Sequence, residues 1–271
     1  MNLTVIVDDH CGNPRLRGEH GLSSCLETPR GRILFDTGMG WSLLHNMNEL
    51  SIPVKSIDHI ILSHGHYDHT WGLNQFLLRN SRVPVWAHEL FDKQRYSNRL
   101  GEIKYNGTSL SRNIMNFKPI EDVTEILEGV WAIPVPSENR DPDFVPVDNG
   151  LVVLDDNKEI VSDPMEDDIS LLVKGRFGYS ILSGCAHAGI VNIMKYISSL
   201  TGTDSFYSVI GGMHFKSQPD EFVRKCAAQM RDRFKVEKWF PNHCTGINSA
   251  FTLSDYLDNI EWAPSGKKIE I

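Results

Sequence analysis

The apolar positions of the chain come in short runs cut by turns. Leu3, Val5, Ile6 and Val7 make a first β-run that stops at Asp8 and Asp9. Residues 22–28 are followed by Pro29-Arg30-Gly31 and then by Arg32-Ile33-Leu34-Phe35-Asp36. This order of strand, tight turn and strand predicts a hairpin. Between 41 and 50, the residues Trp41, Leu43, Leu44, Met47 and Leu50 recur at helical spacing. Ile60-Ile61-Leu62 reads as a buried strand. It runs directly into Ser63-His64-Gly65-His66-Tyr67-Asp68-His69, which places that histidine segment at a strand's C-terminal end. A helix over 70–78 and a strand over 83–87 follow.

Residues 91–118 are polar, rich in Asn, Arg and Ser, and weakly periodic. They are expected to form a lid-like insertion with some helix, since long loops in compact domains are often functional. Strands are then predicted at 130–135, 151–154, 169–173, 179–182, 206–210 and 236–240, with a Pro/Asp-rich loop at 136–149. Helices are predicted at 190–200, 221–234 and 248–257. The first half is β-rich, then α, and the second half repeats that order. The expectation is an α/β (α+β) chain built as an αββα sandwich, two packed mixed sheets with helices outside. No Pro/Gly/Ser-rich linker divides it, so residues 1–271 are read as a single domain.

Composition narrows the function classes. The 271 residues are 41% hydrophobic and 23% charged, as in soluble globular proteins. The net charge is -8 and no run of Lys or Arg forms a stripe, which gives nucleic-acid binding no support. No stretch approaches the roughly 20 apolar residues of a membrane span. The first residues lack a basic region and read as a strand, not a signal peptide. The five cysteines, Cys11, Cys25, Cys185, Cys226 and Cys244, are odd in number and scattered. They are read as reduced thiols of a cytoplasmic protein.

The chemistry concentrates in the histidine segment. Imidazole and carboxylate are good ligands for zinc and similar divalent ions. In an extended loop, residues two apart point the same way, so His64 and His66 can hold one ion. Asp68 and His69 can turn to a second. Gly65 gives backbone freedom where the chain must bend. His20, His187 and His214 stand beside glycine-containing turns at predicted element ends. There they would bind an anionic group or move a proton near neutral pH. A turn histidine bonded to backbone is the plainer alternative for each. Ala188-Gly189 opens a predicted helix whose first amides could hold a phosphate. Asp36, before Thr37-Gly38, more often braces its own loop than binds metal.

His-x-His-x-Asp-His at 64–69 resembles the signature of the metallo-β-lactamase superfamily. Phe35-Asp36-Thr37-Gly38 looks like that family's early Asp-x-Gly element, and Asn242-His243-Cys244 looks like its last metal-binding histidine. The segments Glu19-His20-Gly21, Gly184-Cys185-Ala186-His187, Gly211-Gly212-Met213-His214 and His243-Cys244-Thr245-Gly246 resemble one subgroup. It includes an archaeal dihydropterin-methyl ribofuranosylaminobenzene phosphate synthase and many uncharacterised metal-dependent hydrolases. The resemblance implies a metallo-β-lactamase-like sandwich with two divalent ions, zinc first, iron or manganese as alternatives. It implies metal ligands at His64, His66, Asp68, His69 and His243, and Asp36 as a brace beside the site. The family's remaining ligand positions fall near Asp168 and on Cys185, a departure from its usual His and Asp. Cys185 would bridge as a thiolate, or His187 would reach the metal instead; a small buried thiol is the alternative for Cys185. The implied activity is hydrolysis of an ester or phosphoester in a small, anionic substrate, with Asp68, His187 and His214 catalytic and His20, His187 and His214 on the substrate. A synthase displacing diphosphate from a pterin-like substrate uses the same ligands, and a non-catalytic or redox metal protein is a third reading.

Overall fold

The computed structural model describes residues 1–155 and 157–271. Period-two alternation explains its layers. Along the strand Gly31–Phe35, Ile33 and Phe35 face one way and Leu34 the other; along Ile169–Gly175, Leu171 and Val173 oppose Leu172. Two sheets whose strands are apolar on both faces must each be covered twice.

The first sheet has seven strands, in the order Lys268–Glu270, Asn2–Val7, Ser23–Thr28, Gly31–Phe35, His59–Ile61, Pro84–His88 and Asn116–Ile120. The second has six, in the order Lys235–Pro241, Ser205–Gly211, Gly178–Ser183, Ile169–Gly175, Val130–Pro134 and Thr124–Leu127. Leu3, Val5 and Ile61 of the first pack against Leu171, Leu182 and Ile210 of the second. Helices Leu43–Glu49 and Gly72–Leu77 cover the outer face of the first sheet through Leu43, Met47, Leu73 and Phe76. Helices Ile190–Thr201, Asp220–Arg233 and Ile247–Ser254 cover the second through Ile193, Met230 and Leu253. This is the αββα sandwich.

A third sheet was not foreseen. Residues 91–118, expected as loop with some helix, hold an antiparallel hairpin of Arg95–Arg99 and Glu102–Tyr105. Its first strand pairs with Leu151–Leu154, which pairs with Ile160–Ser162, giving four strands. The polar sequence Arg-Tyr-Ser-Asn-Arg hid this strand, because its inner residues face a polar cavity instead of an apolar core. The strands Thr124–Leu127, Ile160–Ser162 and Lys268–Glu270 were also missed; each is a short pairing partner at a sheet edge. No described helix is long and apolar enough to cross a membrane.

Candidate metal centre

Six strands deliver the site from their C-terminal ends. Asn2–Val7 leads to Asp8 and Asp9, Gly31–Phe35 to Asp36, and His59–Ile61 to the segment 63–69. Across the sandwich, Gly178–Ser183 leads to Cys185 and His187, Ser205–Gly211 to His214, and Lys235–Pro241 to His243 and Cys244. Those last three strands are parallel, so their ends converge. Asp36, Ala186, His214 and His243 all take left-handed backbone conformations, uncommon outside glycine and frequent where a site needs a side chain re-aimed.

Hydrogen bonds set which ring nitrogen faces inward. Ser63 Oγ donates to Asp36 Oδ2 at 2.7 Å, so His64 Nδ1, 2.8 Å from that Oγ, donates to it and keeps a lone pair on Nε2. His69 Nδ1 donates to Asp36 Oδ2 at 2.7 Å, and His243 Nδ1 donates to Asp9 Oδ1 at 2.7 Å. These partners fix the tautomers of metal-binding imidazoles. The Nε2 atoms of His69 and His243 then stand 3.2 Å apart, both as lone pairs. Two such acceptors face each other only with a cation between them, a proton or a metal ion. Asp68 Oδ2 lies 3.3 Å from His243 Nε2 and 3.7 Å from His69 Nε2, and Cys185 Sγ lies 3.2 Å from His69 Nε2.

A second set sits beside the first. His64 Nε2 and His66 Nδ1 are 3.0 Å apart, and His64, Cys185 and His187 bring ligand atoms within 4.8 Å of one another. His69, Cys185 and His243 do the same. Cys185 is thus common to both groups. Burial, reinforced by neighbouring imidazoles, drives His64 and His187 well below the ordinary histidine range, and burial takes His66 down to about 3 against the pull of Asp68. Neutral imidazole is the ligand form. His66 Nε2 and His187 Nε2 are buried without a partner among the described residues. At His69 and His243 burial also opposes charge, but Asp36 and Asp68 at the first, and Asp68 and Asp9 at the second, prevail and raise both. The donor set fits divalent metal binding: nitrogen and sulfur donors are ligands for such ions, and the neighbouring carboxylates call for positive charge.

Asp168, expected as a ligand, accepts the amide of Ala188 on its Oδ2 at 2.9 Å, while its Oδ1 is buried without a partner among the described residues. Its atoms are in neither of the two ligand groups, whereas His187 is in one. Ala188-Gly189 therefore spends an amide on a carboxylate of the chain. Gly65 donates its amide to Asp167 Oδ2 at 2.8 Å, and a Cβ there would sit 1.8 Å from the Phe91 carbonyl. Asp167 also accepts from Arg95 Nη2 at 2.7 Å. The buried Arg95 thereby ties the hairpin of the third sheet to the histidine loop.

Cys185, common to both groups, lines a cavity of about 210 Å³ together with His66, Asp68 and His243. His20 stands at its mouth between Asp9 and Asp68, 3.3 Å from each. His214 also lines the cavity, with Asp148 Oδ2 3.7 Å from its Nε2. Burial works against its charge, yet the neighbouring Asp148 and Cys244 outweigh this and lift it to about 9. Arg99, from the third sheet, lines the cavity and donates to Asp148 Oδ2 at 2.7 Å. Sequence reasoning missed Asp9, Asp148 and Arg99. Asp8-Asp9 directly after a buried strand was a usable signal for the first.

Residues 16–154 match the sequence profile of the metallo-beta-lactamase superfamily. Along its whole length the chain is 30% identical to the 7,8-dihydropterin-6-methyl-4-(beta-D-ribofuranosyl)-aminobenzene-5'-phosphate synthase of Methanocaldococcus jannaschii, covering 96% of that protein. An uncharacterised protein of the same organism is 29% identical, with 98% of this chain and 99% of that one covered. Among solved structures, Tm1679, described as a metal-dependent hydrolase of the beta-lactamase superfamily, is 29% identical with a TM-score of 0.85, covering all of this chain and 99% of the other. YhfI of Bacillus subtilis, a metallo-beta-lactamase fold protein, shares the fold at a TM-score of 0.60 and 13% identity, with 99% of each chain covered.

Proposed function

The chain belongs to the metallo-beta-lactamase superfamily, and from that premise we propose that it is a metal-dependent hydrolase of a small anionic ester or phosphoester. The observation that carries this reading is the pair of ligand groups that share Cys185, a residue that lines the cavity. His64, His66, His187 and Cys185 would hold one ion; Asp68, His69, His243 and Cys185 would hold the other. Zinc suits this nitrogen and sulfur set best, ahead of iron or manganese. Divalent ions bound there supply Lewis acidity to the oxygen of the scissile centre.

The chain's own groups do the rest. Asp9 and Asp36 keep the Nε2 atoms of His243 and His69 turned inward. His20 Nε2, 3.3 Å from Asp68 Oδ2, can pass a proton between that carboxylate and the cavity mouth. His214, facing the cavity beside Asp148, is placed to donate a proton to a leaving oxygen. Arg99 offers guanidinium donors to an anionic substituent. The fold and site alone leave the nucleophile open, because metal-assisted displacement serves water and other nucleophiles alike.

A synthase is the second reading, favoured by full-length similarity to a protein bearing that name. Here the metals would hold a diphosphate leaving group of a pterin-like substrate. One experiment separates the two. Metal-loaded protein is incubated with generic phosphodiesters and esters, and separately with a dihydropterin-methyl diphosphate and a ribofuranosylaminobenzene phosphate. Hydrolysis that disappears in Asp68→Ala supports the first reading; diphosphate released only when both partners are present supports the second. Turnover undiminished in Asp68→Ala sinks both.

A further inference from the structure

Cys244 belongs to neither ligand group, yet it sits at the metal centre. Cys185, His214 and Cys244 each present a donor atom, and the three atoms lie within 4.8 Å of one another. All three residues line the cavity. One glycine permits the meeting. A Cβ on Gly212 would lie 2.4 Å from Cys244 Sγ and 2.4 Å from the Gly184 carbonyl, so only glycine lets the ends of these strands close this far. The amide of His214 donates to Cys244 Sγ at 3.3 Å. That residue's left-handed backbone turns its ring into the cavity. Both ring nitrogens of His214 are buried without a hydrogen bond among the described residues, the Asp148 contact being 3.7 Å long. A buried imidazole with neither nitrogen bonded, beside two thiols, is a costly arrangement unless a ligand completes it.

We propose that Cys185, His214 and Cys244 form a third metal-binding position, for a thiophilic divalent ion such as zinc or cadmium, beside the two groups that share Cys185. Two sulfur donors and one imidazole select soft or borderline ions over magnesium or calcium. Three protein ligands leave a fourth place open toward the cavity, the arrangement of a reactive site instead of a closed structural one. Asp148, which accepts from Arg99, keeps its Oδ2 3.7 Å from His214 Nε2 and adds negative charge beside the three donors, which favours a cation there. An ion seated here would occupy space that a substrate of the first two groups also uses. The position does not depend on which reaction the enzyme performs.

Cadmium reads it directly, because thiolate-to-cadmium charge transfer absorbs in the ultraviolet in proportion to bound thiolate. Protein stripped with a chelator is titrated with cadmium. The wild type is expected to take one equivalent more than Cys244→Ser and one more than His214→Gln, with a weaker charge-transfer band in Cys244→Ser. His64→Gln is expected to lose a different equivalent and to retain this one, so failure of the two-ion reading and failure of this proposal give different results. A check on the wild type avoids any question of variant folding: once the first two groups are filled, further cadmium should slow alkylation of Cys244 by N-ethylmaleimide, read by peptide mass. Equal stoichiometry in the wild type and both variants, or Cys244 alkylation indifferent to the added cadmium, overturns the proposal.

Discussion

Asp9 accepts the Nδ1 proton of His243 at 2.7 Å, joining the end of the first strand to a ligand that lies 234 residues further along the chain. Its neighbour Asp8 accepts the backbone amide of the same histidine at 2.7 Å. The two carboxylates therefore hold both the ring and the main chain of His243, and each leaves the ring's Nε2 pointed at Asp68 and His69.

Asp9→Asn should weaken metal binding at the His69–Cys185–His243 group by about 10–100-fold, the usual cost of losing such a partner. The His64 group should be little affected. Competition against a chromogenic chelator measures both affinities. If they fall together, or neither moves, Asp9 does not act through His243.

Asp168 offers a test of bracing against ligation. Asparagine keeps an oxygen for the Ala188 amide, whereas alanine removes it. Asp168→Asn should therefore retain the full metal content, and Asp168→Ala should lose metal from the His64–Cys185–His187 group. Elemental analysis of both variants decides; loss of metal in the asparagine variant would restore Asp168 to the ligands.

Arg95 is 1% exposed and bonded to Asp163 at 2.8 Å and Asp167 at 2.7 Å. Removing one partner of a buried ionic cluster strands the others, at about 3–5 kcal/mol. Arg95→Met should lower the urea midpoint accordingly. It should also loosen the Gly65 amide from Asp167, so metal content at the His64 group should drop in the folded variant. A stability loss with unchanged metal content would confine Arg95 to a structural role.

The thiols away from the site differ in reactivity for a physical reason. Burial pushes Cys25 and Cys226 up to about 12, so both stay protonated at pH 8. Cys11 is exposed. N-ethylmaleimide at pH 8 should label Cys11 within minutes and leave Cys25 and Cys226 unmodified until the chain is unfolded, which peptide mapping would reveal. Rapid labelling of Cys25 in the native protein would contradict its burial in the first sheet.

Much of this was legible in the sequence because it depends on local periodicity. The hairpin of Ser23–Thr28 and Gly31–Phe35, the strand before His64 and the three helices over the second sheet follow from runs of apolar residues at period two or near 3.6. The His64–His69 segment carried its chemistry in its own spacing. What escaped depends on contacts between distant strands. The turn that carries Cys185 and His187 holds Ala186 in a left-handed conformation, which no propensity announces. Asp9, Asp148 and Arg99 are ordinary charged residues in sequence and acquire a place only when strand ends converge. Arg95–Arg99 reads as loop in the sequence because its inward side chains are polar, and an alternation of polar against polar carries no hydrophobic signal.

The sharing of Cys185 between the two groups also sets an order of assembly. His64, Cys185 and His187 are all present once residue 187 has been made, whereas the other group lacks His243 until translation is nearly finished. If each group takes an ion, the first would have its ligands during synthesis while the second still faced a gap. Completion of the second would await docking of the strand Lys235–Pro241 against its neighbour Ser205–Gly211. Filling of that group would then report that the whole chain has folded.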